Sequence, residues 1–278
     1  TTSSSTPVAV SLPSGRTATS VDAGGWHTCA VLDDASLYCW GNNGDGQLGD
    51  GTTTQSTTPV AVSLPSGRTA TSVSITKYHT CAILDDASLY CWGYNGWAAL
   101  GDGTTTSSST PVAVSLPSGL TATSVDLGEY HTCAVLSNGS TYCWGKNSNG
   151  QLGDGSVSYS PTPTSVSLPS GRTASSVTAG NDHSCAILDN GSAYCWGYNG
   201  QGQLGDGSYT DSLTPAEASL PSGRTASSIS SEGWHTCAIL DDTSSYCWGN
   251  NADGQLGDGT TTTRTTPVQS SLIGPTAQ

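Results

Sequence analysis

This 278-residue sequence predicts an all-β fold, a β-propeller of four-stranded blades built from five 52-residue repeats. Three observations carry that expectation. First, His27, His79, His131, His183 and His235 recur at a constant interval, as do Cys29, Cys81, Cys133, Cys185 and Cys237, and Cys39, Cys91, Cys143, Cys195 and Cys247. A unit this short cannot bury its own apolar face and must stack on its neighbours. Second, short β-favouring runs alternate with turn residues, and no stretch has helical periodicity. Third, the run Cys29-Ala-Val-Leu32 is apolar at consecutive positions. A strand of that kind needs burial on both faces, as in sheets stacked face to face around an axis, whereas a sandwich with one wet face would alternate.

The elements follow in order within a unit. A Pro-led strand (Thr58-Pro59-Val60-Ala61-Val62) is followed by the turn Pro65-Ser66-Gly67 and a short strand around Val73. Then come a strand over 79–84, a turn at Asp85-Asp86-Ala87, a strand over 89–93 and a Gly-rich stretch ending at Gly103. The third turn fixes a register. In two units it reads Ser137-Asn138-Gly139 and Asp189-Asn190-Gly191, with glycine last. A three-residue hairpin loop with glycine in the left-handed position places Leu136 opposite Ser140, and therefore Cys133 opposite Cys143. Directly opposed residues have Cβ atoms about 4.5–5.5 Å apart, the shorter end approaching what a disulfide needs. Ten cysteines, two per unit, thus read as five hairpin disulfides, each contributing about 2–3 kcal/mol in the chain-entropy model. That framework belongs to an oxidising compartment, and the expected location is extracellular or at the cell surface.

Residues 1–278 read as one repeat domain with cores at about 21–62, 73–114, 125–166, 177–218 and 229–270. The Pro-led strand occurs six times, at Pro7, Pro59, Pro111, Pro163, Pro215 and Pro267, against five cores. One copy, at 6–12, is therefore surplus. Pro7, Val8 and Val10 at one end and Pro267 and Val268 at the other are the candidates for strand donation between chains. The net charge of −14 repels nucleic-acid backbones and anionic membrane surfaces. No run is long enough to span a bilayer, and no leader precedes Thr1, so that an exported form would be a processed chain or a fragment.

The pattern Val21-x-x-Gly-x-x-His27-Thr-x-Ala-x-Leu32, then Tyr38-x-Trp-Gly-x-Asn43-x-x-Gly-Gln-Leu-Gly-Asp50-Gly51 and a Pro-Val strand, resembles the regulator-of-chromosome-condensation repeat. The likeness recurs through all five units. It implies a propeller with blades of about fifty residues, typically seven of them, whereas five cores stand here. The founding member of that family is a nuclear exchange factor, a setting at odds with paired cysteines and strong acidity. Other relatives, among them a secreted inhibitor of β-lactamases, bind proteins through an end face, which implies a protein-binding role.

Candidate site residues fall into five groups. His27 and Cys29 with Cys39 opposite supply three zinc-type ligands per unit, but the cysteines are better used as disulfides and the histidines read as structural, donating to a nearby backbone carbonyl. No metal site and no cofactor are expected. The loop Asn43–Gly51 carries calcium-type oxygen donors, yet it lacks the EF-hand spacing and closing glutamate, and Asp50 with its counterparts reads as an Asx-turn acceptor, calcium being a minor alternative. Trp40, Trp92, Trp144, Trp196 and Trp248 read as packing between blades. The position before each histidine varies (Trp26, Tyr78, Tyr130, Asp182, Trp234), and with Trp97 these aromatic residues are candidate rim contacts for a protein or carbohydrate ligand. Asn138-Gly-Ser140 and Asn190-Gly-Ser192 fit the N-glycosylation acceptor pattern at hairpin tips. No nucleophile with a paired base and no phosphate loop breaks the repeat, so the expected protein is a non-enzymatic extracellular binding or adhesion scaffold. The alternative expectation is a structural subunit of an extracellular filament, assembled by donation of a terminal strand.

Overall fold

A computed structural model describes residues 4–271. Twenty strands form five four-stranded antiparallel sheets, each a meander in chain order. Blade 1 holds β1 (Ala18–Ala23), β2 (His27–Leu32), β3 (Leu37–Gly41) and β4 (Ser56–Ala61). Blade 2 holds β5 (Ala70–Ile75), β6 (His79–Leu84), β7 (Leu89–Gly93) and β8 (Ser108–Ala113). Blade 3 holds β9 (Ala122–Leu127), β10 (His131–Leu136), β11 (Thr141–Gly145) and β12 (Ser160–Ser165). Blade 4 holds β13 (Ala174–Ala179), β14 (His183–Leu188), β15 (Ala193–Gly197) and β16 (Ser212–Glu217). Blade 5 holds β17 (Ala226–Glu232), β18 (His235–Leu240), β19 (Ser245–Gly249) and β20 (Arg264–Gln269).

The hairpin register is the one the loop arithmetic predicts. Leu136 N–H donates to Ser140 O, and Cys133 faces Cys143. The same pairing recurs in every blade, and all ten cysteines are joined in hairpin disulfides. The Pro-led strands β4, β8, β12, β16 and β20 each lie at the outer edge of their sheet beside a register shift, where a residue without an N–H costs no ladder bond.

The apolar cores lie between blades. In the first, Val31, Leu37 and Leu48 of blade 1 pack on Ala70, Leu84 and Trp92 of blade 2, and three further clusters repeat this down the chain. Strands β6, β10 and β14 are buried at every position, as their unbroken apolar runs require. The end blades differ. In β1 Val21 is 64% exposed, in β18 Ile239 is 40% exposed, and no comparable packing joins blade 5 to blade 1 among the described residues. The five blades form an open arc.

The strand-donation candidates separate here, and one expectation, for Trp40, needs correction. The surplus segment at 6–12 joins no sheet, and Pro7, Val8 and Val10 are exposed, whereas Pro267 and Val268 lie in β20, with Val268 opposite Cys247. Trp40 is not packed between blades: it lies on the uncovered face of blade 1 and is half-buried, while its four counterparts are fully buried.

Gly139 and Gly191 hold the left-handed turn position, but Ala35, Ala87 and Thr243 occupy it elsewhere, Thr243 with φ 68°. A β-branched residue is the most strained there, by about 1–2 kcal/mol. The variant Thr243→Gly should raise the unfolding free energy by about 1 kcal/mol, read as a higher denaturant midpoint with an unchanged slope. A lower midpoint would contradict the strain.

Candidate functional site: an aromatic end face above a shared axis

The turns between the first and second strands of each blade converge on one axis. Residues from all five blades, including Gly24, Thr76, Gly128, Asn181 and Glu232, line a central cavity of about 580 Å³. Around its inner wall one register position changes from blade to blade. Asp126 accepts hydrogen bonds from Ala179 N at 2.8 Å and from the hydroxyls of Thr178 and Ser74 at 2.9 and 3.2 Å, and Asp22 accepts from Ile75 N at 2.8 Å. Burial pushes the Asp126 carboxyl up to about 6 against these bonds.

At the same end of the molecule stand the residues that precede each histidine. Trp26 meets Tyr78 edge to face at 5.4 Å, Tyr78 stacks on Tyr130 at 4.7 Å, and Tyr94 closes against both tyrosines at 5.9 Å. Lys77 Nζ lies 4.1 Å from the Trp26 ring centre and 5.0 Å from that of Tyr78. Of the seven Lys and Arg residues six pair with a carboxylate, Lys146 with Asp182 at 2.8 Å among them; Lys77 has no such partner among the described residues. A cation over aromatic faces beside exposed ring edges is a surface suited to a protein anchor. Trp26, half-exposed, opens this strip. Trp234 stands apart beside Tyr198 and Asp182, and Trp97 is exposed without an aromatic neighbour among the described residues. Tyr94 and Lys77 escaped the sequence reading, although Lys77 immediately precedes the variable aromatic position and was legible as a cation in a chain with few.

The histidines are structural, but their partner corrects the expectation. His27 Nε2 meets the Thr80 hydroxyl of the next blade at 2.7 Å, not a backbone carbonyl. Thr80 Oγ1 donates to Gln47 O at 3.0 Å, so the ring N–H must be the donor to Thr80. The Trp92 indole N–H donates to the same carbonyl at 2.8 Å. This four-group link recurs as His79, Thr132, Ala99 O and Trp144, then as His131, Ser184, Gln151 O and Trp196, then as His183, Thr236, Gln203 O and Trp248. Burial holds these rings neutral, lowering His27 and His131 to about 4 and His79 and His183 to about 3.

The long loop after β3 is built on buried asparagine. Asn43 accepts from Leu48 N at 2.9 Å and donates to Thr52 O and Thr54 O at 3.1 and 3.0 Å, with Asn95, Asn147, Asn199 and Asn251 repeating the role. Asp50 Oδ1 accepts from Thr52 N at 2.9 Å, an Asx turn. Among the described residues no group of three or more His, Cys, Asp or Glu is arranged to hold a metal ion. Asn138 and Asn190 stand at exposed hairpin tips, where Asn138 accepts from the Ser140 N–H at 3.0 Å.

The repeat geometry has a counterpart in known proteins. The model of the RCC1-like domain matches residues 1–277. The chain belongs to the RCC1-like family. It is 32% identical over 241 residues to the ultraviolet-B receptor UVR8 of Arabidopsis thaliana, covering 86% of this chain and 54% of that protein. The RCC1-like chain thus spans about half the length of curated relatives it matches. Among solved structures, human WBSCR16 superposes with a TM-score of 0.85 at 21% identity, covering 95% of this chain and 70% of that one. Yeast RCC1 (Prp20) in its complex with Kap60 superposes at 0.60 with 18% identity, covering 91% and 75%.

Neutral buried histidines have a pH consequence. An unfolded histidine takes up a proton near pH 6.5 and these folded rings do so only near 3 to 4, so their stabilising effect is complete above about 6.5 and is lost as pH falls toward 4. Asp126 acts oppositely: folded it holds a proton below about 6, against 3.8 unfolded, so it gains stability on acidification through that window. Four groups outweigh one. The melting temperature should fall steadily from pH 7 to pH 4.5, and a flat or rising profile would contradict neutral burial of the rings.

Proposed function

We propose that this RCC1-like chain is a non-enzymatic scaffold, working outside the cytoplasm, that captures a protein partner on its aromatic end face. The observation that carries the reading is the Trp26–Lys77–Tyr78–Tyr130 strip. It is the one place among the described residues where a cation without a carboxylate partner lies against aromatic rings, in a chain of net charge −14. Rigid aromatic anchors lose little side-chain freedom on binding. Five disulfides support an oxidising, extracellular setting. The complex with Kap60 in which yeast RCC1 was solved supports protein binding as a use of this fold. Asn138 and Asn190 at the opposite, hairpin-tip end would carry N-linked sugar away from the strip.

A second reading, the extracellular filament subunit joined by strand donation, draws support from the exposed segment with Pro7, Val8 and Val10, which lies outside every sheet. On that reading deletion of residues 1–12 abolishes assembly.

The binding test uses the oxidised chain immobilised against proteins of the extracellular fluid bathing its source cells. A partner held by the unmodified chain should bind about 10- to 100-fold more weakly to Trp26→Ala and to Tyr78→Ala. It should bind equally to Asp34→Ala at the opposite end. Equal retention by all three variants would remove the end-face reading.

A further inference from the structure

One buried donor near the aromatic end of the molecule has no acceptor. In the long loop after the third strand of four blades a glutamine folds back, and its Oε1 accepts from the backbone N–H two residues earlier: Asp45 N to Gln47, Asn149 N to Gln151, Gln201 N to Gln203 and Asp253 N to Gln255, each at 2.9 Å. That bond fixes which end of the amide carries the hydrogens. Gln47 Nε2 then donates to Asn42 Oδ1 at 3.1 Å, Gln255 Nε2 to Asn250 Oδ1 at 2.7 Å, and Gln151 Nε2 to Asp182 Oδ1 of the next blade at 3.1 Å. In blade 4 these two places are aromatic: Tyr198 is in register with Asn42 and Asn250, and Trp234 with Asp182. An indole offers no acceptor, and the Tyr198 hydroxyl is held over Gly200, where a Cβ would meet it. Gln203 Nε2, fully buried, is left without a partner among the described residues.

The two rings that deprive it are the walls of a pocket. Asn149, Asp182, Tyr198, Gln201 and Trp234, from blades 3 to 5, enclose about 190 Å³. That is below the roughly 300–1,000 Å³ of a drug-sized site and leaves room for one ring. Its polar edge offers hydrogen-bonding groups of both kinds. Asp182 Oδ1 is taken by Lys146 and Gln151, while Oδ2 has no partner among the described residues. Gln201 Oε1 accepts from Asn250 at 3.1 Å, and the amide N–H groups of Gln201 and Asn149 have no acceptor among the described residues. A cation would find the carboxylate already paired with Lys146 at 2.8 Å and would serve none of the amide donors. An anion would meet Asp182 in a chain of net charge −14. A hydroxyl serves both kinds of group, because it donates and accepts.

We propose that this pocket binds the terminal pyranose of a neutral glycan. The sugar is a single saturated ring with hydroxyls on successive carbons, which matches several amide donors and one free carboxylate oxygen around space for one ring. Its apolar C–H face lies on the half-exposed Trp234 indole, whose π face is electron-rich. One hydroxyl donates to Asp182 Oδ2, and others accept from the amides of Gln201 and Asn149. A hydroxyl oxygen entering between the two rings gives Gln203 Nε2 the acceptor it lacks, and relief of that buried donor favours the bound state. The site lies across blades 3 to 5 and uses no residue of the Trp26–Lys77–Tyr78–Tyr130 strip, so it goes beyond the protein-binding reading and stands without it.

The test is saturation-transfer NMR on the full oxidised chain with the methyl glycosides of glucose, galactose, mannose and N-acetylglucosamine. Each is taken up to about 50 mM, where a site with a Kd of about 1 mM is nearly filled. At least one glycoside should bind, with the strongest transfer to the C–H protons of one ring face and a shift of the Trp234 indole N–H signal. Trp234→Ala and Gln203→Met should each weaken that binding about tenfold, and Trp234→Phe should hold it within about threefold. Trp26→Ala should leave it unchanged, which separates this pocket from the strip. Trp234 is half-exposed, so its substitution spares the fold, and circular dichroism and melting check every variant. Failure of all four glycosides to bind overturns the proposal, as does binding that survives Trp234→Ala. Binding of tetramethylammonium or of a blocked dipeptide in place of every glycoside would overturn it in favour of a cation or a peptide residue. Tighter binding of the free reducing sugars than of their glycosides would overturn a glycan as the source of the ring.

Discussion

A sheet that is apolar on both faces has to be covered on both, and in this protein only a neighbouring blade can do so. Five blades therefore enclose four cores, each shared between two blades. The hairpin disulfides stiffen a blade but do not join it to the next. That task falls to packing and to the four-group link in which a neutral histidine donates to a hydroxyl, the hydroxyl donates to a carbonyl, and an indole N–H shares that carbonyl. Each such group is buried, and losing one partner would leave the others unsatisfied at about 1–3 kcal/mol apiece. The link is thus a geometric lock as much as a source of stability.

The division between invariant and variable positions follows from that lock. Residues that touch the next blade cannot change without breaking a buried bond, so His, Thr or Ser and Trp recur in register, and the Asn that ties the long loop to itself recurs with them. The position before the histidine points out of the lock and is released. It carries Trp, Tyr, Tyr, Asp and Trp in successive units, and the first four rings or charges along it all engage Lys77 or Lys146. The central register position likewise varies, holding Asp22, Ser74, Asp126, Thr178 and Ser230 in successive units, and Asp22, Asp126 and Thr178 accept from a backbone N–H of the next blade. Function in such an array accumulates where the fold makes no demand.

Much of this was legible in the residues. The hairpin register needed only the glycine of the third turn, because loop length and a left-handed residue together fix which cysteines face each other. The stacked blades followed from Cys-Ala-Val-Leu, which one buried face could not accommodate. The histidine partner was not legible, because Thr80 lies in the next unit and nothing local marks a contact 53 residues away. Trp40 was misread for a related reason: strict periodicity implies equivalent environments, but among the described residues no blade covers the face of blade 1 on which Trp40 lies. The segment containing Pro7 joins no sheet on the same ground, since among the described residues no three-stranded partner lies beside it.

The most direct test of the open arc is hydrogen exchange at the five indole N–H groups, followed by NMR. With the lock as described, Trp92, Trp144, Trp196 and Trp248 should exchange slowly, each held by a carbonyl of the preceding blade, while Trp40 exchanges near the rate of a free indole. Five equally protected indoles would mean that blade 5 closes on blade 1, and rapid exchange at all five would mean that the lock between blades does not form.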